Sequence, residues 1–136
     1  MLLDTNVVSE LRKAAKADAN VTAWAAAQPA DTLFVSTITV LELEIGVQRM
    51  ERRDRRQGAV LRQWLDGHVL PAFEGRVLVF DLAVARRCAA LHVPDPRPER
   101  DAIIAATALV HGLTLATRNV ADFQNMGAKL VNPWAG

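Results

Sequence analysis

The residues of this chain best suited to chemistry are acids standing where burial alone would put none. Asp4 ends the apolar run MLL, Glu42 and Glu44 lie within TVLELEIGV, and Asp101 heads the segment DAIIAATALV. A further acid, Asp122, shares the turn TRNVADF with Asn119. Carboxylates in apolar surroundings need a counter-charge, because an unpaired buried anion is expensive. A divalent cation is the simplest source of that charge, and carboxylate and amide oxygens are its natural ligands.

Each acid also has a structural reading. Asp4 precedes Thr5 and Asn6, and all three cap helices well. It is either an N-cap worth about 1 kcal/mol or a ligand held at a strand end, with Asn6 in support. Glu42 and Glu44 lie about 200° apart on a helix, so they cannot serve one site together, and periodicity leaves open which faces solvent. A first-turn Asp such as Asp101 gains roughly a few tenths of a kcal/mol from the helix dipole. Yet the residues behind it are small and apolar on every side until His111, which favours a lined cavity over a wet face. Asn119 and Asp122, taken alone, are ordinary turn residues. Thr117 and Arg118 beside them add donors able to hold a phosphate. His68, His92 and His111 fall in helical stretches without matching partners, and no Ser or Cys nucleophile is paired with a base.

The totals bound the class of protein. A chain of 136 residues that is 51% apolar is expected to form a single domain over residues 1–136, hiding about two-thirds of its unfolded surface. Cys88, the only cysteine, sits in the apolar stretch AVARRCAALHV and reads as a small hydrophobe in a reducing compartment. The longest apolar run, around Ala102 to Val110, is about half of what a membrane-spanning helix requires. Met1 leads straight into a strand without a basic leader, so a cytosolic protein is expected and a membrane is not. Formal charge is +1, from 16 basic and 15 acidic residues, so the distribution of charge must decide whether a polyanion binds.

These residues have to be positioned by short apolar strands alternating with helices. Strands are expected at Met1 to Asp4, Leu33 to Ser36, Val77 to Phe80, Leu113 to Ala116 and Lys129 to Val131. Helices are expected at Thr5 to Arg12, Val21 to Gln28, Ile38 to Met50, Gly58 to Phe73, Ala83 to His92 and Glu99 to His111, with Gly112 as a stop. Arg49 to Arg56 reads as a charge run between two of them. The alternation argues for an α/β fold with a mostly parallel sheet covered on both faces. Sites in such sheets form beyond the carboxyl ends of the strands, where strand order reverses. Asp4 and the Thr117 to Asp122 turn both lie at such ends.

The segments LLDTNVVSEL, TITVLELEIGV, RDAIIAATALVHGLTLATRNVADF and LVNPW together resemble the PIN-domain family, and within it the VapC-type toxin ribonucleases of the FitB-like branch. The resemblance implies a three-layer α/β/α sandwich around four to five short strands. It also implies an acidic pocket holding Mg²⁺ or Mn²⁺ and hydrolysis of RNA phosphodiester bonds by water activated at that ion. By motif, Asp4 takes the first acidic position, Glu42 the second and Asp101 the third, so the resemblance selects Glu42 over Glu44. For the fourth, many relatives carry an acid where this chain has Asn119, and Asp122 is the nearby substitute. A cognate VapB-type antitoxin and a homodimer are implied as partners. The apolar helices around Trp24 and Trp64 offer a surface for either contact, although Trp in an amphipathic helix is more often core.

An RNA substrate needs cations along its phosphates. Arg100 and Arg118, with Thr117, lie nearest the expected pocket. The run Arg49, Arg52, Arg53, Arg55 and Arg56 is a larger reservoir, which the interleaved Glu51 and Asp54 would neutralise if it were simply a solvated helix end. Without Tyr and with 5% aromatic residues, a base-stacking platform is not expected. Two other classes remain open: a phosphoryl-transfer domain with Asp4 as nucleophile, and a non-catalytic module that keeps the fold but not the metal.

Overall fold

The computed structural model describes residues 1–136. The chain begins with β1 (Leu2–Leu3), α1 (Thr5–Leu11), α2 (Ala19–Ala26), β2 (Val35–Ser36) and the long helix α3 (Thr37–Arg53). It continues through α4 (Arg55–Trp64), α5 (Leu70–Ala72), β3 (Val77–Leu78), α6 (Leu82–Leu91) and α7 (Glu99–His111). It closes with β4 (Leu115–Ala116), α8 (Val120–Phe123) and β5 (Leu130–Val131).

All strand pairs are parallel: β1 with β4, β4 with β5, and β2 with β3. A parallel bridge from Leu2 to Phe34 joins the two groups, with Leu3 N–H donating to the Phe34 carbonyl at 2.8 Å and Phe34 N–H to the Met1 carbonyl at 2.9 Å. The spatial order is therefore β3-β2-β1-β4-β5, and it reverses between β1 and β4.

Two-residue strands suffice because every strand residue is used. Leu2 and Leu115 pack on one side with Ile104, Ala105, Ala108 and Phe123. Leu3, Val35 and Ala116 pack on the other with Val7, Val8, Leu43, Val47, Leu65 and Val69. Neighbouring residues on one strand thus feed opposite cores, as the period of two requires, and the result is the expected α/β/α sandwich. The small residues of α7 let it press closely on the sheet and, through Ala102 and Ala106, on Val84 and Cys88 of α6. Cys88 is buried, as its apolar setting implied.

Helices start immediately at the strand ends. The Asp4 carboxylate caps α1 and the Ser36 hydroxyl caps α3, accepting from Thr39 N–H at 3.1 Å. Both junctions place polar side chains at the carboxyl edge of the sheet.

Three expectations change. The charge run at Arg49 to Arg56 is helical, interrupted only at Asp54, whose extended backbone ends α3 while its carboxylate caps α4 through Gln57 N–H at 3.1 Å. The helix expected from Gly58 to Phe73 is not regular: Leu65–Val69 form a wider turn, with Leu70 N–H bonded to the Leu65 carbonyl. Pro71 explains this, since its ring lacks an N–H and collides with a carbonyl four residues back in a regular helix. All five strands are also shorter than expected, at two residues each.

The α3–α4 hairpin crosses tightly at Gly58, where an added Cβ would stand 2.4 Å from Glu51 Cα. Backbone cannot yield there as a side-chain tip could. Gly58→Ala is expected to destabilise the fold by about 1–3 kcal/mol, despite its better helix propensity. Urea unfolding checks this; an unchanged midpoint would show that the two helices can move apart.

Candidate active site

Asp4 is the fixed point of the site. Its backbone N–H bonds to the Ala116 carbonyl at 2.9 Å, continuing the β1–β4 register so that Asp4 stands beside Thr117. One carboxylate oxygen accepts from Thr5 N–H at 2.8 Å and the other from the Thr117 hydroxyl at 2.8 Å, with Asn6 Nδ2 at 3.4 Å. The capping and ligand readings of Asp4 are therefore not alternatives, because one oxygen caps while the other faces β4. Burial pushes the Asp4 carboxyl above its usual range, and the charges of Glu42 and Asp122 add to that; the Thr117 and Thr5 hydrogen bonds offset part of it.

Glu42 reaches the same place from α3. Its carboxylate accepts from the Thr5 hydroxyl at 2.7 Å, which also lies 3.1 Å from the Thr39 hydroxyl, and it pairs with Arg100 at 3.7 Å. Glu44 is committed elsewhere. Arg62 of α4 grips it in a bidentate pair at 2.7 and 2.9 Å while also holding Glu51 at 3.0 Å. The geometry thus separates two glutamates that periodicity could not.

Asp101 projects from the first turn of α7, whose N-terminus carries Pro98 and no side-chain cap. Its carboxylate accepts no protein hydrogen bond, unlike that of Asp4, so the cap reading does not apply. Its carboxyl is raised to about 6, first by burial and then by the charges of Asp4, Asp122 and Glu42. Four acids from four separate elements therefore share one electrostatic neighbourhood, although Asp122 is itself exposed on α8. Asn119 is exposed too; its N–H bonds to the Thr117 hydroxyl at 3.0 Å.

The donor set fits a hard cation. It consists of carboxylate, amide and hydroxyl oxygens, and Arg100, half exposed, is the one positive side chain in an ion pair with it. No three acid, His or Cys side chains approach closely enough to ligate one ion together. A magnesium-type ion asks for only one or two direct carboxylates, keeping several waters.

One expectation is corrected here. Thr117 is fully buried and its hydroxyl is spent on Asp4, so it positions the acid rather than meeting a phosphate. Trp24 and Trp64 are partly buried against the core. Arg100 meets the site through its pair with Glu42, while the Arg118 backbone N–H lies 3.4 Å from Asn6 Oδ1 and its guanidinium stands 5.3 Å from the Trp134 ring centre. Sequence reasoning missed Thr5 as the hinge between Asp4 and Glu42, and Arg12, which lines a hollow of about 210 Å³ with Thr5, Ser9, Glu42 and Gly46. A wider concavity of about 530 Å³ beside Trp64 contains no carboxylate and is not where this chemistry sits.

The raised Asp101 carboxyl fixes a pH dependence. Its folded-state value lies above the unfolded one, so its contribution to stability is complete below about pH 4 and is lost as pH rises through about 6. Asp101→Asn should therefore be more stable than wild type at pH 7.5, with the advantage shrinking towards pH 4. Urea midpoints across that range test this; a variant less stable at every pH would show the carboxylate to be a structural partner.

Comparison with known proteins agrees with this geometry. The PIN domain family model matches residues 1–129. The chain is 43% identical over 139 residues to the VapC ribonuclease Y4jK of Sinorhizobium fredii, covering 98% of this chain and 97% of that one. Its fold superposes on a chain in the crystal structure of FitAcB from Neisseria gonorrhoeae with a TM-score of 0.89 and 36% identity, covering 98% and 97% of the two chains. A toxin–antitoxin complex from Klebsiella pneumoniae matches with a TM-score of 0.68 and 28% identity, covering 97% and 96%. With the family model matching residues 1–129 and relatives 36–43% identical over nearly the whole length, this chain belongs to the PIN domain family.

Proposed function

We propose that this chain is the toxin of a type II toxin–antitoxin pair, an endoribonuclease that hydrolyses RNA with the help of Mg²⁺ or Mn²⁺ held by Asp4 and Asp101. The observation that carries the reading is the Asp101 carboxyl, without a hydrogen-bond donor and raised to about 6 by burial and three neighbouring acids. Ionised Asp101 costs the folded state stability in that arrangement, and a cation beside it would offset the cost. The ribonuclease and toxin–antitoxin relatives support the activity and the partner.

When bound, such an ion lowers the pKa of an attacking water and offsets charge on the leaving oxygen. The side chains do the remaining work. Thr117 and Thr5 N–H lock Asp4 in one rotamer, and the Thr5 hydroxyl locks Glu42 beside it. Glu42 and Asp122 accept protons from water at the site and orient it, with Asp122 as the fourth acid and Asn119 as a supporting ligand. Arg100 and Arg118 hold the scissile region's phosphates at the rim. No nucleophilic side chain is used.

The apolar walls beside Trp64 suit a VapB-type antitoxin segment, and exposed Val79, Phe80 and Leu82 suit association with a second copy of the chain. No helix is long and apolar enough to cross a membrane.

Incubation with mixed RNA tests the activity. Wild type should cut in Mg²⁺ and stop with chelator; Asp4→Asn and Asp101→Asn should each fall by about 100-fold or more, the scale of losing a charge-stabilising group, while circular dichroism stays unchanged. Equal cutting by all three proteins would refute the assignment.

A further inference from the structure

The five arginines near the tip of the α3–α4 hairpin are left without acidic partners by the fold. Glu51, which could neutralise them in sequence, is drawn away to Arg62 at 3.0 and 3.2 Å. Asp54 is spent capping α4. Arg49, Arg52, Arg53, Arg55 and Arg56 are all exposed, and none forms an ion pair. In a protein of net charge +1, this is a strong local excess.

Its orientation relative to the acidic pocket follows from helix geometry. Arg49 and Arg53 fall within about 20° of Glu42 around α3, roughly 10 and 16 Å further along its axis. Between them on that face lies Gly46, which lines the hollow shared with Glu42 and has no atom within 4 Å of where a Cβ would stand. The face of α3 therefore runs from an acid at the pocket, over an open glycine, to two free cations. A distance of about 16 Å corresponds to roughly five phosphates at helical rise.

We propose that this face is a second phosphate-binding surface, along which an RNA strand leaving the cleavage pocket lays its backbone on Arg49 and Arg53, with Arg52, Arg55 and Arg56 at the tip. The proposal rests on the ribonuclease reading and extends it to substrate length. The acidic pocket repels a polyanion, so affinity has to come from cations placed beyond it. RNA long enough to reach α3's far end is bound and cut better than RNA that fills only the pocket.

The test compares wild type, Arg49→Gln/Arg53→Gln and Arg49→Lys/Arg53→Lys. Binding of a fluorescent single-stranded RNA of about 20 nucleotides is measured over a salt series in chelator, and cleavage of that RNA and of one of about four nucleotides is measured in Mg²⁺. Losing two contacts should lower the slope of log affinity against log salt by about 1.4 in the Gln variant. The Lys variant should keep the slope, and cutting of the short RNA should be unchanged in both.

An unaltered slope in the Gln variant, with RNA still bound and cut, overturns the second surface and leaves the ribonuclease reading intact. So does an equal loss on short and long RNA, or a loss confined to duplex DNA or to antitoxin binding. Failure of wild type to bind or cut any RNA removes both.

Discussion

Repulsion among four carboxylates gathered at one edge of the sheet is the constraint around which this structure is organised. The sheet's strands are buried on both faces, so polar side chains are displaced to its carboxyl edge, where α1, α3 and α7 begin. Strand order reverses between β1 and β4, and Asp4 stands at that reversal. The fold holds Asp4 and Glu42 with two threonine hydroxyls and one backbone N–H, and sets one cation, Arg100, 3.7 Å from Glu42. The bonds to Asp4 fix it in place without cancelling its charge.

Much of this was legible in the sequence because it depends on local pattern. An apolar run ending in a capping residue marked the strand–helix junction at Asp4, and the apolar surround of Asp101 marked a buried helix with an anomalous acid. What was not legible depended on partners far along the chain. Glu42 and Glu44 are equivalent by period, and only Arg62, brought back by the hairpin, removes Glu44. Thr117 looked like a phosphate donor until the β1–β4 register placed Asp4 beside it. The wide turn at Leu65–Val69 follows from how the helix accommodates Pro71, which the apolar period of Gly58 to Phe73 does not show.

Charge along α3 shows the same dependence on tertiary pairing. Counted by residue, Arg49 to Arg56 is a mixed stretch; after folding, its acids serve Arg62 and the cap of α4, and its arginines are released. One helix thus carries an anionic end suited to a metal and a cationic end suited to phosphate. A formal charge of +1 conceals both.

The central claim, that acids distant in sequence act on one ion, is tested most directly by following individual carboxyl groups in a pH titration by carbon NMR, with and without Mg²⁺. The account predicts that Asp101 titrates near 6 in the absence of the ion. Its midpoint should fall when Asp4 is changed to Asn and fall again when Mg²⁺ is added to wild type. The Asp4 and Asp101 signals should then report one common dissociation constant. An Asp101 midpoint at the ordinary carboxylate value, indifferent to Asp4 and to Mg²⁺, would contradict it.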